Sequence, residues 1–234
     1  LEYAPGNASR ITLEGFYKKY SQYPISLIDG VSLANKGGGF EVLGNEAVTS
    51  EGKGESYGIE VLYQQKLTKN FYGVFAYTFF QSQFTTADGN YLPSVWDSRH
   101  LISFSGGYKL KRNWEISARW RFSGKTPYVP INQNVTLQAY PEIVLDYDQL
   151  GNVKLDPFNL ADIRFDKKWN LKRYSFNFYF EIQNFLAQAI PRPDEYGLNR
   201  SDTGELILPT SLVKVNTEEN NNIPIPSFGF VIDF

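Results

Sequence analysis

Apolar and polar residues alternate along several stretches of this chain, the period-two signature of β-strands. The clearest stretch is Trp114–Ser123. Trp114, Ile116, Ala118, Trp120 and Phe122 fall on one face, and Glu115, Ser117, Arg119, Arg121 and Ser123 on the other. Ser175–Gln183 sets Phe176, Phe178, Phe180 and Ile182 against Ser175, Asn177, Tyr179 and Glu181. The final residues set Phe228, Phe230, Ile232 and Phe234 against Gly229, Val231 and Asp233. The same rhythm predicts strands over 54–67, 99–109 and 161–169. Two further runs, 10–20 and 71–83, read as strands but are apolar on parts of both faces, so their inward side stays open. The prediction is an all-β chain of about eight antiparallel strands with no helix.

The predicted connections alternate between short and long. Short ones lie near Thr68, Lys111 and Leu171, and each places cations at its tip and rings at the strand ends. Amphipathic rings settle where one end is wet and the other apolar, so Phe71, Tyr72, Tyr108, Trp114, Trp169 and Tyr174 are expected to form an aromatic girdle. The long connections cover about 21–53, 84–98, 124–159 and 184–226, and are rich in Gly, Pro and Asn, as at 36–39, 191–193 and 218–222. Structureless loops of such length are uncommon in compact soluble domains. Short periplasmic turns and long outer loops are normal in outer-membrane barrels. On that pattern both chain ends fall on the periplasmic side.

Composition narrows the choice. Rings are abundant (18 Phe, 16 Tyr, 4 Trp in 234 residues), yet the mean hydropathy is only −0.36. That combination fits a β-barrel in lipid, where alternate residues face hydrocarbon. No apolar run approaches the ~18 residues of a membrane helix. The 23 Lys and Arg against 25 Asp and Glu leave no basic excess for nucleic acid. Cys is absent and His occurs once, which excludes disulfides, thiolate sites and His-rich metal sites. Met is absent even at position 1, so the chain is expected to start after processing or inside a longer product.

Alternation does not by itself say which face is inside, and a soluble lipocalin-like barrel keeps its apolar residues inward. Ring-rich apolar faces, ring-flanked strand ends and polar faces with charges of both signs favour the membrane arrangement. A cation on the lipid face at mid-bilayer costs about 2–4 kcal/mol. Glu60, Glu115, Arg119, Arg121, Asp162, Arg164, Asp166 and Glu181 are therefore expected to line the lumen. Neutralising one another or a plug is the favoured role for them over touching substrate.

Several stretches resemble a known family. Trp96-Asp97-Ser98-Arg99-His100 is similar to the W-D-x-R-H motif of TonB-dependent outer-membrane receptors. The run from Arg119 to Pro130, with Phe122, Gly124, Pro127, Tyr128 and Pro130, resembles their R-x-x-F-x-G-x-P-Y-x-P stretch, and Gly52 to Glu60 resembles a G-x-G-x-x-x-G-x-E strand start. Asp162 to Trp169 and Ile182 to Phe185 match late-strand patterns. Phe228, Phe230, Ile232 and terminal Phe234 resemble the C-terminal assembly signal of Gram-negative outer-membrane proteins. The resemblance implies a barrel of about 22 strands with a plug and a TonB box, so residues 1–234 are expected to be the last third of the barrel, without the plug. It also implies import of a scarce nutrient held by the extracellular loops. Energy would come from the inner membrane through TonB, and the other partners would be the assembly machinery and outer-membrane lipid. Gly or Ser at 56, 58, 103, 105 and 107 suits a wide lumen.

No catalytic or cofactor site is expected. His100 beside Arg99 is the sole candidate base, and a structural histidine at a strand lip is the favoured reading. Asp146 and Asp148 with Asp156 suggest calcium only weakly, because that ion wants six or more oxygens; a solvated loop is favoured. Tyr128, Tyr140, Tyr147 and Tyr196 are candidates to stack on a sugar or a siderophore. No basic cluster in the loops favours an anionic chelate. The rival reading is a small complete outer-membrane barrel serving as an adhesin or anchor.

Overall fold

The computed structural model describes residues 1–36, 45–215 and 222–234. Residues 37–44 and 216–221, which take in parts of the predicted Gly-rich and Asn-rich loop stretches, lie outside the described residues. The strands are β1 (Glu2–Gly6), β2 (Ser9–Ser26), β3 (Val48–Thr68), β4 (Phe71–Thr85), β5 (Tyr91–Pro93), β6 (His100–Lys109), β7 (Trp114–Ser123), β8 (Phe158–Asn170), β9 (Ser175–Gln183), β10 (Glu195–Leu198), β11 (Leu212–Val215) and β12 (Ile225–Asp233). One antiparallel sheet runs in the order β1-β2-β3-β4-β6-β7-β8-β9-β12, with β5 added to the end of β4. β10 and β11 form a separate hairpin. The sheet is open: β1 and β12 are its two edges and do not pair with each other. The eight predicted strands are thus present, but they do not close into a small barrel.

Register settles which residues share a face. Directly paired residues project to the same side. One row reads Phe71, Tyr108, Ile116, Phe165, Phe180 and Phe228 across six strands. A row of the opposite face reads Val74, Ser105, Arg119 and Asp162. By the same parity Glu60, Glu115, Arg119, Arg121, Asp162, Arg164, Asp166 and Glu181 all lie on one polar face. The two strands with ambiguous faces are also resolved. Thr12, Glu14, Phe16 and Lys18 of β2 and Thr78, Phe80 and Ser82 of β4 join the polar face.

Three expectations need correction. Tyr72 is not part of the girdle: it pairs with Gly107 on the polar face and its hydroxyl donates to Glu115. Phe71, Tyr108, Trp114 and Trp169 do share the apolar face. A helix exists, α1 (Gln133–Ala139), started by the Asn132 side chain accepting from the Val135 N–H at 3.2 Å. Finally, β2 and β3 reach 18 and 21 residues, about twice the ~9–11 of a membrane crossing. The pattern stops early there because Gln22 takes a left-handed φ of 56° and the register slips between Tyr20 and Tyr23. Above the slip, Tyr20 and Tyr23 pack on Phe84 at 5.3 and 4.6 Å.

The buried apolar residues lie mainly at the long-loop end, as with Ile25, Val31, Ala34, Phe84, Val95 and Leu150. Lower down, the two faces of a single sheet have no second layer to bury them.

Candidate functional site

Five consecutive residues at the start of β6 face three environments. Asp97 is 1% exposed; its carboxylate accepts from the Ser82 N–H at 3.2 Å and pairs with Arg99 Nε at 3.0 Å. Arg99, at a left-handed φ of 65°, also donates to Gln81 Oε1 at 2.8 Å. Burial pushes the Asp97 carboxyl up, while Arg99 and the Ser82 N–H pull it down less strongly. This lock fixes the loop so that Trp96 projects, 65% exposed, into a cavity. His100 turns to the apolar face instead, stacked on Tyr77 with Nδ1 3.0 Å from the Tyr77 hydroxyl. Among the described residues, its one side-chain hydrogen-bond partner is the Tyr77 hydroxyl.

The second motif climbs over the polar face. Gly124 N–H donates to the His100 carbonyl at 2.8 Å, and a side chain at Gly124 would strike the Ser98 carbonyl. The chain then crosses above β6 and β7 as Pro127, Tyr128 and Pro130. It is held by bridges from Pro127 to Lys154 and from Ile131 to Leu145. These residues wall a cavity of ≈ 890 Å³ whose floor is Phe80, Leu101 and Ser123, at the upper end of the polar face. Tyr147 and Tyr196 reach it as well as Tyr128, whereas Tyr140 does not. Burial, then the Asp194 charge, pushes the Tyr128 hydroxyl up.

The charges at the cavity are largely paired. Lys36 is buried against Asp29 at 2.6 Å and Glu46 at 2.9 Å, and its ammonium lies 5.1 Å from the Tyr147 ring centre. Burial opposes that charge, but the two carboxylates carry Lys36 above its ordinary range. Asp194 pairs with Lys214 at 2.6 Å. Asn35 donates to the Leu92 and Pro93 carbonyls at 3.1 and 3.0 Å, and its buried Oδ1 at the cavity wall has no donor among the described residues. Of the lining, the sequence points to Tyr128, Tyr147 and Tyr196 as candidates for ligand contact and to Trp96 and Pro127 only as motif residues. Residues such as Asn35, Ile143 and Arg192 sit in loops with no periodic signal.

None of the eight polar-face charges lines this cavity. Asp162 accepts from Arg119 at 3.0 Å, with Arg121 at 4.0 Å. Arg164 forks onto Asp166 with two bonds of 2.8 Å, lies 3.8 Å from Glu181 and stacks on Tyr179 at 3.9 Å. Glu115 accepts from Tyr72. Glu60 stands apart on β3, opposite Glu14 and Thr78. Asp156 pairs loosely with Lys125 at 3.9 Å, and among the described residues no group of three possible metal ligands comes together.

The profile of the TonB dependent receptor-like β-barrel family matches residues 1–185. No curated protein matches the chain. Among solved structures, the ferripyoverdine receptor of the outer membrane of Pseudomonas aeruginosa superposes with a TM-score of 0.57 at 13% identity, over 97% of this chain and 25% of its own. The ferric-catecholate import receptor Fiu of Escherichia coli K12 gives 0.55 at 10% identity, over 98% of this chain and 26% of its own. The siderophore receptor PiuA of Acinetobacter baumannii gives 0.55 at 10%, over 97% and 26%. The chain therefore spans about a quarter of the length of the structures it matches.

Proposed function

Because the chain belongs to the TonB-dependent receptor β-barrel family, we propose that it forms wall strands and outer loops of an outer-membrane receptor that imports a small nutrient. In this reading the chain is the C-terminal part of the barrel, and a plug carrying the TonB box completes the receptor. The apolar face meets lipid and the polar face looks into the lumen. The short turns and the C-terminal end of β12 are periplasmic and the long loops extracellular; the expectation for the other end is corrected, because β1 runs up the wall from its short turn with β2 and Leu1 lies level with Leu13. Phe228, Phe230, Ile232 and Phe234, all exposed on the apolar side of β12 and beyond, act as the assembly signal. The receptor does no bond chemistry.

The observation that supports this best is the cavity of ≈ 890 Å³ under the loops, opening above the polar face and lined by Trp96, Pro127 and Tyr128. Ligand pockets are commonly concave, mainly apolar and of this size. The polar-face ions around Arg119, Arg121 and Arg164 are paired with Asp162, Asp166 and Glu181, so they favour a hydrated wall over a second binding site. The neighbours named above are siderophore receptors, and a chelated metal is one cargo class that the cavity volume admits.

The test is growth. A strain lacking the gene, supplied in turn with limiting iron chelates, cobalamin and oligosaccharides, should fail on one of them. Loss of TonB should reproduce that failure. Restoring the gene with Trp96→Ala and Tyr128→Ala should leave the receptor in the membrane but restore growth poorly. Normal growth of the deletion strain on every source would refute the proposal.

A further inference from the structure

Charge along this molecule is segregated. Of the four short turns between sheet strands, the first (7–8) is uncharged and the others hold Lys69, then Lys111 and Arg112, then Lys172 and Arg173, with no carboxylate in any of them. The four long loops between the sheet strands hold fifteen carboxylates against seven cations. An anionic surface is therefore attracted to the short-turn end and repelled from the long-loop end.

One cation on the apolar face makes this specific. Lys167 pairs with Trp114 across β7 and β8, and Trp169 follows two residues later on the same side. Its ammonium lies 5.4 Å from the Trp114 ring centre and 5.5 Å from that of Trp169, and it donates to the Arg112 carbonyl in the adjacent turn. The two indoles are 45% and 43% exposed. A lysine on a lipid-facing position is costly unless its head reaches the interface. Here the head is drawn to the turn, where Arg112 and Asn113 take left-handed φ values of 60° and 57° and the Lys111 and Arg112 side chains are exposed. Among the described residues Lys111 and Arg112 have no carboxylate within ion-pair reach. An ammonium has three donors. Its aromatic neighbours and one carbonyl leave room for an acceptor from outside the chain.

We propose that Lys167, Lys111 and Arg112, framed by Trp114 and Trp169, bind the phosphodiester head group of an anionic phospholipid in the leaflet around the short turns. The indoles lie beside the glycerol and upper acyl region, and the cations meet the phosphate. This rests on the reading above that the apolar face is in lipid, and charge complementarity selects the occupant.

The test uses the full-length receptor in nanodiscs of equal phosphatidylglycerol and phosphatidylcholine, with retained lipid counted by native mass spectrometry. Phosphatidylglycerol should be retained over phosphatidylcholine. Lys167→Gln with Arg112→Gln should lower the enrichment by about fivefold per cation removed. Lys125→Gln with Lys154→Gln in a long loop should leave it unchanged. The single variant Arg112→Gln, in an exposed turn, keeps the test valid if the Lys167 variant assembles poorly. Equal retention of the two lipids, or enrichment indifferent to these substitutions, overturns the proposal. So does loss of enrichment in millimolar glycerol phosphate, which would mark a site for soluble phosphate. Heat-modifiable migration on gels is scored alongside. A receptor that inserts but shows no lipid preference sinks this inference alone, whereas failure to insert sinks the membrane reading itself.

Discussion

Asp162 offers the sharpest separation of two effects. Its side chain is 6% exposed, and its two oxygens do different work. Oδ2 accepts from Arg119 Nε and Nη2, both at 3.0 Å, while Oδ1 accepts from the backbone N–H of buried Asn184 at 3.0 Å. Arg119 is 51% exposed, so water and salt screen the ion pair to about 0.5 kcal/mol. A buried N–H left without an acceptor costs about 1–3 kcal/mol. The backbone bond should therefore outweigh the ion pair. Asn184 also closes the first turn of the last long loop, with its amide bonded to both the N–H and the carbonyl of Gln188. Asp162→Asn keeps an acceptor for Asn184 and should cost about 0.5–1 kcal/mol. Asp162→Leu loses both bonds and should cost about 2–4 kcal/mol. Arg119→Gln should cost no more than about 0.5 kcal/mol. Urea unfolding of the refolded barrel in detergent measures all three. If Asn and Leu at 162 were equally damaging, the ion pair would dominate and the reasoning would be wrong.

Gly107 lies beneath Tyr72, and a Cβ there would sit 2.6 Å from the hydroxyl and 2.7 Å from its ring carbon. Gly107→Val should lift Tyr72 off Glu115 and cost about 1–3 kcal/mol by urea unfolding, more than Tyr72→Phe; equal losses would deny the ring its seat. The loops should respond to pH in opposite senses. The Ser26 hydroxyl, then Lys36, holds the Glu46 carboxyl below its ordinary 4.5, so its contribution is present above that value and lost as pH falls. Burial raises Asp97 above its ordinary 3.8, so its contribution is full below that value and lost as pH rises through the raised one. Hydrogen-exchange protection should therefore weaken on acidification in segment 26–36 and strengthen in segment 94–98. Glu46→Gln and Asp97→Asn should abolish the respective changes, and loosening of both segments together would refute the assignment.

Strands β7 and β9 coincide with the predicted alternation because they run as regular ladders, in which successive side chains must point to opposite faces. Tyr72 leaves the expected girdle because parity along β4, rather than ring content near the turns, decides its face. Helix α1 falls inside the 124–159 stretch expected to be irregular, because seven residues make only two turns and show little helical periodicity. It is fixed by the Asn132 cap and by the buried Thr136 hydroxyl, bonded to both the Val144 N–H and carbonyl. The cavity was only partly visible. Trp96, Pro127 and Tyr128 were marked by their motifs, but Phe80, Lys36 and Arg192 meet there only through long-range packing.

The W-D-x-R-H stretch explains why alternation fails where the cavity begins. Strand parity assumes extended backbone at every residue, and Arg99 at φ 65° breaks that assumption one residue before β6. Past the break, His100 belongs to the apolar-face rings, beside Tyr77 and Phe79. Before it, Asp97 is tied to the Ser82 N–H of β4. The segment carrying Trp96 is thus tied to β4 through the Asp97 side chain, while the His100 side chain lies on the opposite face from the cavity. In the proposed receptor, substitution at His100 should leave the cavity geometry intact. Substitution at Asp97 should alter it with every cavity-lining side chain still present.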